Sequence, residues 1–312
     1  MSERELAEWA IATGGNVDVY ISTPPFYQRI AIASELPQGR FIITTMMVNC
    51  DKVPGKDLSP LASAQDVGRL FLENSLLADK TSPDLTPLRQ MPKLRTLTAR
   101  DLDAAAVGTV ASLEDLDTLY TKNLPEGSLE KIAKLKQLVE FESNSIHGPG
   151  IASFKSCKQL RKILNAGNPD VSDDDIRALA AALPDLETLR IGGTTALTNA
   201  CIPSLLMLKS LKYLELHSNE LDDSLIESLA KLPRLDTLNL NSTKIVGSNF
   251  EVLRKFDTLR ELYLDGCSVT DEALDVLVQI KGLTKLQLRR TKVTDAGIAK
   301  FKAARPGFNV SK

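Results

Sequence analysis

The chain has 312 residues, 43% hydrophobic and 25% charged, which is enough apolar material for a large core. A net charge of −2 supplies no positive field to draw phosphate backbones or anionic membranes. No apolar run approaches the ~18 residues that a membrane helix needs, and with only 5% aromatic residues the core has to be aliphatic.

The first predicted element is a helix over residues 2–13. Ser2 with Glu5 writes a capping box, Leu6, Trp9 and Ala10 share a face, and Gly14 ends the helix. The opening "MSERELAEWA" carries charges where a secretory signal would be apolar. "NVDVYI" then alternates Val17, Val19 and Ile21 as a strand. Residues 1–42 are expected to form an N-terminal cap, with Trp9 covering the first repeat. From Ile43 onward one template recurs. An apolar residue is followed by two others, Leu, one other, Leu, then Thr, Asn or Cys three later. Its leading residue falls at Ile43, Val67, Leu94, Leu116, Leu138, Leu160, Leu186, Leu211, Leu235, Leu259 and Leu283. Each copy is a strand followed by a helix, as in 259–280, where Leu274, Leu277 and Ile280 recur at helical spacing. Thr270 and Thr294 are expected as N-caps, with Asp271 and Asp295 in the first turns. Ser172 with Asp173, Asp174 and Asp175 repeats the signal more strongly. A calcium loop there would lack its glycine and its closing acid. Residues 43–304 thus hold about eleven repeats. Arg305-Pro306-Gly307 stops the last helix, and 305–312 form a C-terminal cap with a short final strand.

The phrase "TKVTDAGI" at 291–298 resembles the leucine-rich-repeat family, close to its ribonuclease-inhibitor-like and cysteine-containing subgroups. The opening "LAEWAIATGGNVDV" is similar to repeat proteins of this family found in some bacteria. The resemblance implies an α/β leucine-rich-repeat solenoid, curved, with a parallel β-sheet on the concave side and helices on the convex side. It also implies a non-enzymatic scaffold that binds a protein partner. Elementary packing agrees: strands stack ~4.8 Å apart while helices are ~10 Å across, so tying one to the other bends the stack.

Between Leu94 and Leu160 the repeat shortens, and the second inward Leu is replaced by Ala99, Thr121, Ser143 and Asn165. Two readings stay open: a tighter turn that fills the space with backbone, or a crevice for a small ligand or enzymatic site at 94–165. A third class, the substrate receptor of a ubiquitin ligase, needs a docking domain, whereas the first 42 residues look like a repeat cap.

No catalytic constellation is written in the chain. His147 and His217 stand in different repeats, and "IGGTT" and "HGPG" lack phosphate-loop spacing. The four cysteines show no CxxC and read as free thiols in a reducing, cytoplasmic compartment. No metal, cofactor, nucleic acid or membrane is expected, and the chain reads as a monomer. Side chains between the inward leucines face the hollow in three rows. The seventh-position row, for example, runs Asn144, Ala166, Gly192, His217, Asn241, Asp265, Arg289. Neighbours in a row should pair, as Glu73 with Arg100, Arg190 with Glu215, Glu261 with Lys285 and Asp265 with Arg289. Phe71, Tyr120, Tyr213 and Tyr263 point into the hollow, where no core is available to bury them, and aromatics so placed serve as anchors. The candidate binding residues are Tyr213, Glu215, His217, Tyr263 and Asp265, with Phe71, Tyr120 and Arg190.

Overall fold

The structure is a computed structural model that describes residues 1–22, 26–75, 80–165, 167, 170–193 and 196–312; Ala166 and the two threonines of "IGGTT" lie outside them. The chain forms two compact units. The first comprises residues 1–145 with 156–160, the second 146–155 with 161–312.

In the first unit, helix α1 (Glu3–Ala12) starts at Ser2. The Ser2 hydroxyl accepts from the Glu5 N–H at 3.3 Å, and the Glu5 carboxylate accepts from the Ser2 N–H at 2.7 Å. Its buried face is Leu6, Ala7 and Ala10. Trp9 is half-buried. Gly15 follows because the strand behind it leaves no room: a Cβ would stand 1.8 Å from the Met47 carbonyl oxygen. Strand β1 (Asn16–Tyr20) pairs antiparallel with both β2 (Tyr27–Ile30) and β3 (Ile42–Asn49). The sheet is therefore not parallel throughout, as the repeat pattern alone suggests. The short β1–β2 link explains this, since a parallel neighbour needs a crossover of a dozen residues or more. From β3 the pairing is parallel through β4 (Arg69–Glu73), β5 (Thr96–Ala99), β6 (Thr118–Tyr120) and β7 (Glu140–Glu142). Helices α2 (Ala104–Val110) and α3 (Ser128–Ile132) follow β5 and β6.

The second unit repeats the plan. Strands β8 (Lys162–Asn165), β9 (Thr188–Ile191), β10 (Tyr213–Glu215), β11 (Thr237–Asn239), β12 (Glu261–Tyr263), β13 (Lys285–Gln287) and β14 (Asn309–Ser311) pair parallel in chain order. Between them lie α4 (Asp173–Ala182), α5 (Ile202–Leu205), α6 (Ser224–Leu229), α7 (Asp271–Leu277) and α8 (Asp295–Ala304). The register reproduces the sequence rows. Thr45, Arg69, Thr96, Thr118 and Glu140 stand side by side in the first unit. Lys162, Thr188, Tyr213, Thr237, Glu261 and Lys285 do so in the second. All the leading residues from Ile43 to Leu283 are buried. Not every repeat carries an α-helix. Ser59–Ser63, Thr86–Gln90 and Phe250–Lys255 are 3-10 turns, the first two opened by Pro60 and Pro87, whose fixed φ suits a first turn.

The Thr or Asn of the template closes the turn after its strand in several repeats of the second unit. Thr243 and Thr291 donate their hydroxyls to the Leu240 and Leu288 carbonyls at 2.7 Å each. The Asn219 amide donates to the His217 carbonyl at 3.1 Å, whereas the Cys267 thiol reaches back to the Leu240 carbonyl of the preceding repeat at 3.1 Å. Threonine and asparagine can replace one another here because the turn asks only for a small donor.

Acids at the start of one repeat's helical segment hold the loop of the next. The Asp173 carboxylate accepts from the Thr198 N–H at 3.0 Å and hydroxyl at 2.7 Å. Asp271 accepts from the Thr294 N–H at 2.8 Å and hydroxyl at 2.6 Å. Asp223, only 8% exposed, accepts from the N–H groups of Val246 at 3.1 Å, Gly247 at 3.1 Å and Ser248 at 2.8 Å, and from the Ser248 hydroxyl at 2.5 Å. Of the threonine caps, Thr294 accepts from the Gly297 N–H at 3.0 Å. Thr270 makes no side-chain cap, because its hydroxyl turns to the Glu272 carboxylate instead. The three acids at 173–175 are all engaged within the protein: Asp174 pairs with Arg177 at 2.9 Å, and Asp175 accepts from the Gly148 N–H at 2.7 Å.

Where leucine is missing, the space holds backbone. Ala99, Thr121, Ser143 and Asn165 are all buried. The Thr121 N–H and hydroxyl both reach the Glu142 carbonyl, at 2.8 and 3.1 Å. The Ser143 hydroxyl donates to the Lys122 carbonyl at 3.3 Å, and the Asn165 carbonyl oxygen accepts from the Gly167 N–H at 3.3 Å. This is the geometry of the tighter turn. Thr121→Leu should therefore overpack and cost ~1–3 kcal/mol, whereas Leu240→Ala should leave a cavity costing ~2–5 kcal/mol. Urea melts of the two variants check both values, and a stabilised Thr121→Leu would contradict the packing described.

Candidate functional site: the open sheet face of the second unit

The strands β9 to β13 present outward the side chains that the leucines do not occupy. At the centre stands Glu215, 5% exposed although it lies on the outward face. It accepts from Arg190 Nε at 2.9 Å and Arg190 Nη2 at 3.4 Å, from the Tyr213 hydroxyl at 2.7 Å, and faces His217 Nδ1 at 2.8 Å. Burial alone would raise its carboxyl, but the hydrogen bonds from His217, Arg190 and Tyr213 outweigh burial and hold it down at about 2. Burial and the same carboxylate push the Tyr213 phenol up, so it remains a neutral donor. His217 owes its position to Gly192, just after the neighbouring strand β9: a Cβ there would stand 1.8 Å from His217 Cε1. The glycine is needed as a platform for the ring rather than for a turn.

Tyr263 is held in the same manner. Its hydroxyl donates to Glu261 and accepts from Lys285 Nζ at 2.6 Å, and that ammonium lies 4.8 Å from the ring centroid. Of the expected row pairs, Arg190–Glu215 and Glu261–Lys285 form, the latter at 3.3 Å. Asp265 does not pair with the Arg289 guanidinium. Its carboxylate accepts from the Arg289 backbone N–H at 2.7 Å, while its own N–H donates to the Asn241 side chain at 2.7 Å. With 8% exposure, Asp265 is a latch between repeats. Glu73 and Arg100 form no ion pair among the described residues. The tyrosines also differ from the free anchors expected. Tyr213 and Tyr263 are half-buried, each with its hydroxyl tied to a glutamate on its own strand.

Phe71 and Tyr120 belong to the first unit and are not part of this cluster. Phe71 is half-buried between Met47 and Thr98 in register, and the Tyr120 hydroxyl donates to Glu140 at 2.6 Å. The Thr98 hydroxyl is buried without a hydrogen-bond partner among the described residues.

A family model described as Leucine Rich Repeat matches residues 210–232, the segment that carries β10 and α6. An internalin (inlF) from Listeria monocytogenes is similar in structure, with a TM-score of 0.57 at 22% identity over 81% of this chain and 69% of that one. An internalin C2 (inlC2) from the same organism gives a TM-score of 0.50 at 20% identity over 74% and 93%. No curated protein sequence matches the chain. The fold is that of the leucine-rich repeat.

Within this leucine-rich-repeat framework the reactive side chains are poorly placed for chemistry. All four thiols are free and buried, and burial pushes Cys50 up to about 11 and Cys201 up to about 12. The Cys267 thiol is occupied by the Leu240 carbonyl of the preceding repeat. His147 is exposed on a turn beside Gly148. Among the described residues no cluster of His, Cys, Asp and Glu is arranged to hold a metal ion, and no helix is long and apolar enough to cross a membrane. Sequence reasoning overlooked Gly192 and Asp223, whose roles depend on the adjacent repeat.

Proposed function

We propose that the protein is a non-enzymatic, cytoplasmic scaffold, acting as a monomer, that binds a protein partner on the open sheet face of its second unit, around Tyr213 and Tyr263. The observation that carries this reading is the rigidity of the two rings. Each is fixed by a glutamate on its own strand, and Tyr263 also by Lys285. The register places Tyr213 opposite Thr237 and Tyr263 opposite Asn239 across the intervening strand. Rings held in place before binding lose little entropy on contact, and tyrosine is enriched among binding hot spots. Glu215 and Asp265 are then supports, while Arg190 and His217 form the rim.

Affinity capture of the partner followed by titration tests the reading. Tyr263→Ala and Tyr213→Ala should each weaken binding by ~1–3 kcal/mol. Tyr213→Ala also removes a support of Glu215 and should lower the melting temperature. Tyr213→Phe, which keeps the ring but frees it from Glu215, separates loss of the ring from loss of that bond and should bind between the parent and Tyr213→Ala. Lys281→Ala, outside the patch, is the control. A folded double variant that binds as tightly as the parent would rule the patch out.

A further inference from the structure

The first unit carries a separate cleft of about 980 Å³, lined by residues from β2, β1, β3, β4, β5 and β6. Five steps of ~4.8 Å between these strands make a trough roughly 24 Å long, the span of about seven residues of extended chain at ~3.4 Å each. One wall is Tyr27, 67% exposed.

The charges along the trough are nearly all consumed locally. Arg29 pairs with Asp18 at 2.8 Å, and Lys93 with Asp66. Arg95 lies 3.7 Å from Asp115 and donates to the carbonyls of Pro92 and Leu94 at 3.1 and 3.0 Å. Asp117 accepts from the Thr118 hydroxyl at 2.8 Å. Arg69 differs: it is exposed, and its guanidinium has no ion-pair or hydrogen-bond partner among the described residues. In register on either side stand Thr45 and Thr96, half-buried, whose hydroxyls also lack a partner among the described residues. A planar five-donor fork between two hydroxyl donors matches a carboxylate, which accepts two parallel hydrogen bonds.

We infer that this trough is a second binding surface, taking an extended segment of a partner protein with an Asp or Glu side chain set on Arg69. A nucleic acid strand would demand a row of uncommitted cations along its phosphates, and here Arg69 alone is uncommitted among the cationic side chains that line the trough. The inference goes beyond the Tyr213–Tyr263 patch and uses none of its residues, so either can fail without the other.

The test is a random heptapeptide library displayed on phage and panned against the full chain. Enriched sequences are then made as acetylated, amidated peptides and titrated by fluorescence anisotropy. The expected result is enrichment of Asp or Glu at one position. Replacing that residue by Asn or Gln, or the protein's Arg69 by Met, should weaken binding at least tenfold, and Arg69→Lys should weaken it less. Arg69 is on the surface, so Arg69→Met should keep the parent melting temperature, checked in parallel. A library that yields no binder, binders without an acidic position, or acidic binders that hold Arg69→Met as tightly as the parent would overturn the inference.

Discussion

Asp223→Ala should lower the unfolding free energy by about 3 kcal/mol, a large fraction of the stability of an ordinary domain. The carboxylate accepts three backbone N–H groups and one hydroxyl from the next repeat, and it is 8% exposed. Removing it strands those donors where water reaches them poorly, and a hydrogen bond to a charged group is worth ~1.5–3 kcal/mol even before that penalty. Asp174→Ala is the comparison. That side chain pairs only with exposed Arg177 at 2.9 Å, and its loss should cost under ~0.5 kcal/mol. Urea melts followed by circular dichroism measure both. Equal effects would show that the latch from one repeat to the next contributes little.

The second large effect is a pH dependence centred on Glu215. Its carboxyl is lowered from 4.5 to about 2 in the folded chain. A depressed folded value contributes stability that is present above the unfolded value and is lost as pH falls through the folded one. The window is therefore pH 4.5 down to 2. At ~1.4 kcal/mol per unit the full shift corresponds to about 3.5 kcal/mol, and allowing for Arg190, whose side chain is 43% exposed, the contribution is about 2–3 kcal/mol. Glu215→Gln should accordingly be less stable than the parent at pH 6, and the gap should shrink to below ~1 kcal/mol near pH 2. Urea midpoints across a pH series give the gap directly. A gap that stays constant with pH would mean that the carboxylate is not held as described.

The rows of the sheet were legible because two periods fix them. Alternation along a strand sets which side chains face outward, and the repeat spacing sets which stand side by side. Thr45, Arg69, Thr96 and Thr118 could thus be aligned from sequence and are found in register. Partner choice within a row was less legible, because it depends on side-chain torsions that spacing does not fix. Asp265 has a guanidinium one repeat away yet takes the backbone N–H of the same residue. Tyr213 and Tyr263 were expected to stand free, but each reaches a glutamate two residues away on its own strand. Asp223 and Gly192 gave no signal, since an aspartate before a helix and a glycine after a strand are ordinary in sequence. Only the next repeat, with Ser248 or His217, reveals what they do. The antiparallel β1–β2 pair was missed for a related reason: the repeat template does not extend to the cap.

The central claim is that the open sheet face, rather than the helical side, meets the partner. Hydroxyl-radical footprinting of the chain with and without its captured partner tests it most directly, because oxidation is read side chain by side chain. Tyr213 and Tyr263 report on the sheet face. Met207, just after α5, and Val246, between β11 and the 3-10 turn at Phe250–Lys255, are 51% and 47% exposed and report from outside the sheet face. The account predicts that the partner protects the two tyrosines and leaves Met207 and Val246 oxidised at their original rates. Protection of Met207 and Val246 with unchanged tyrosines would contradict it.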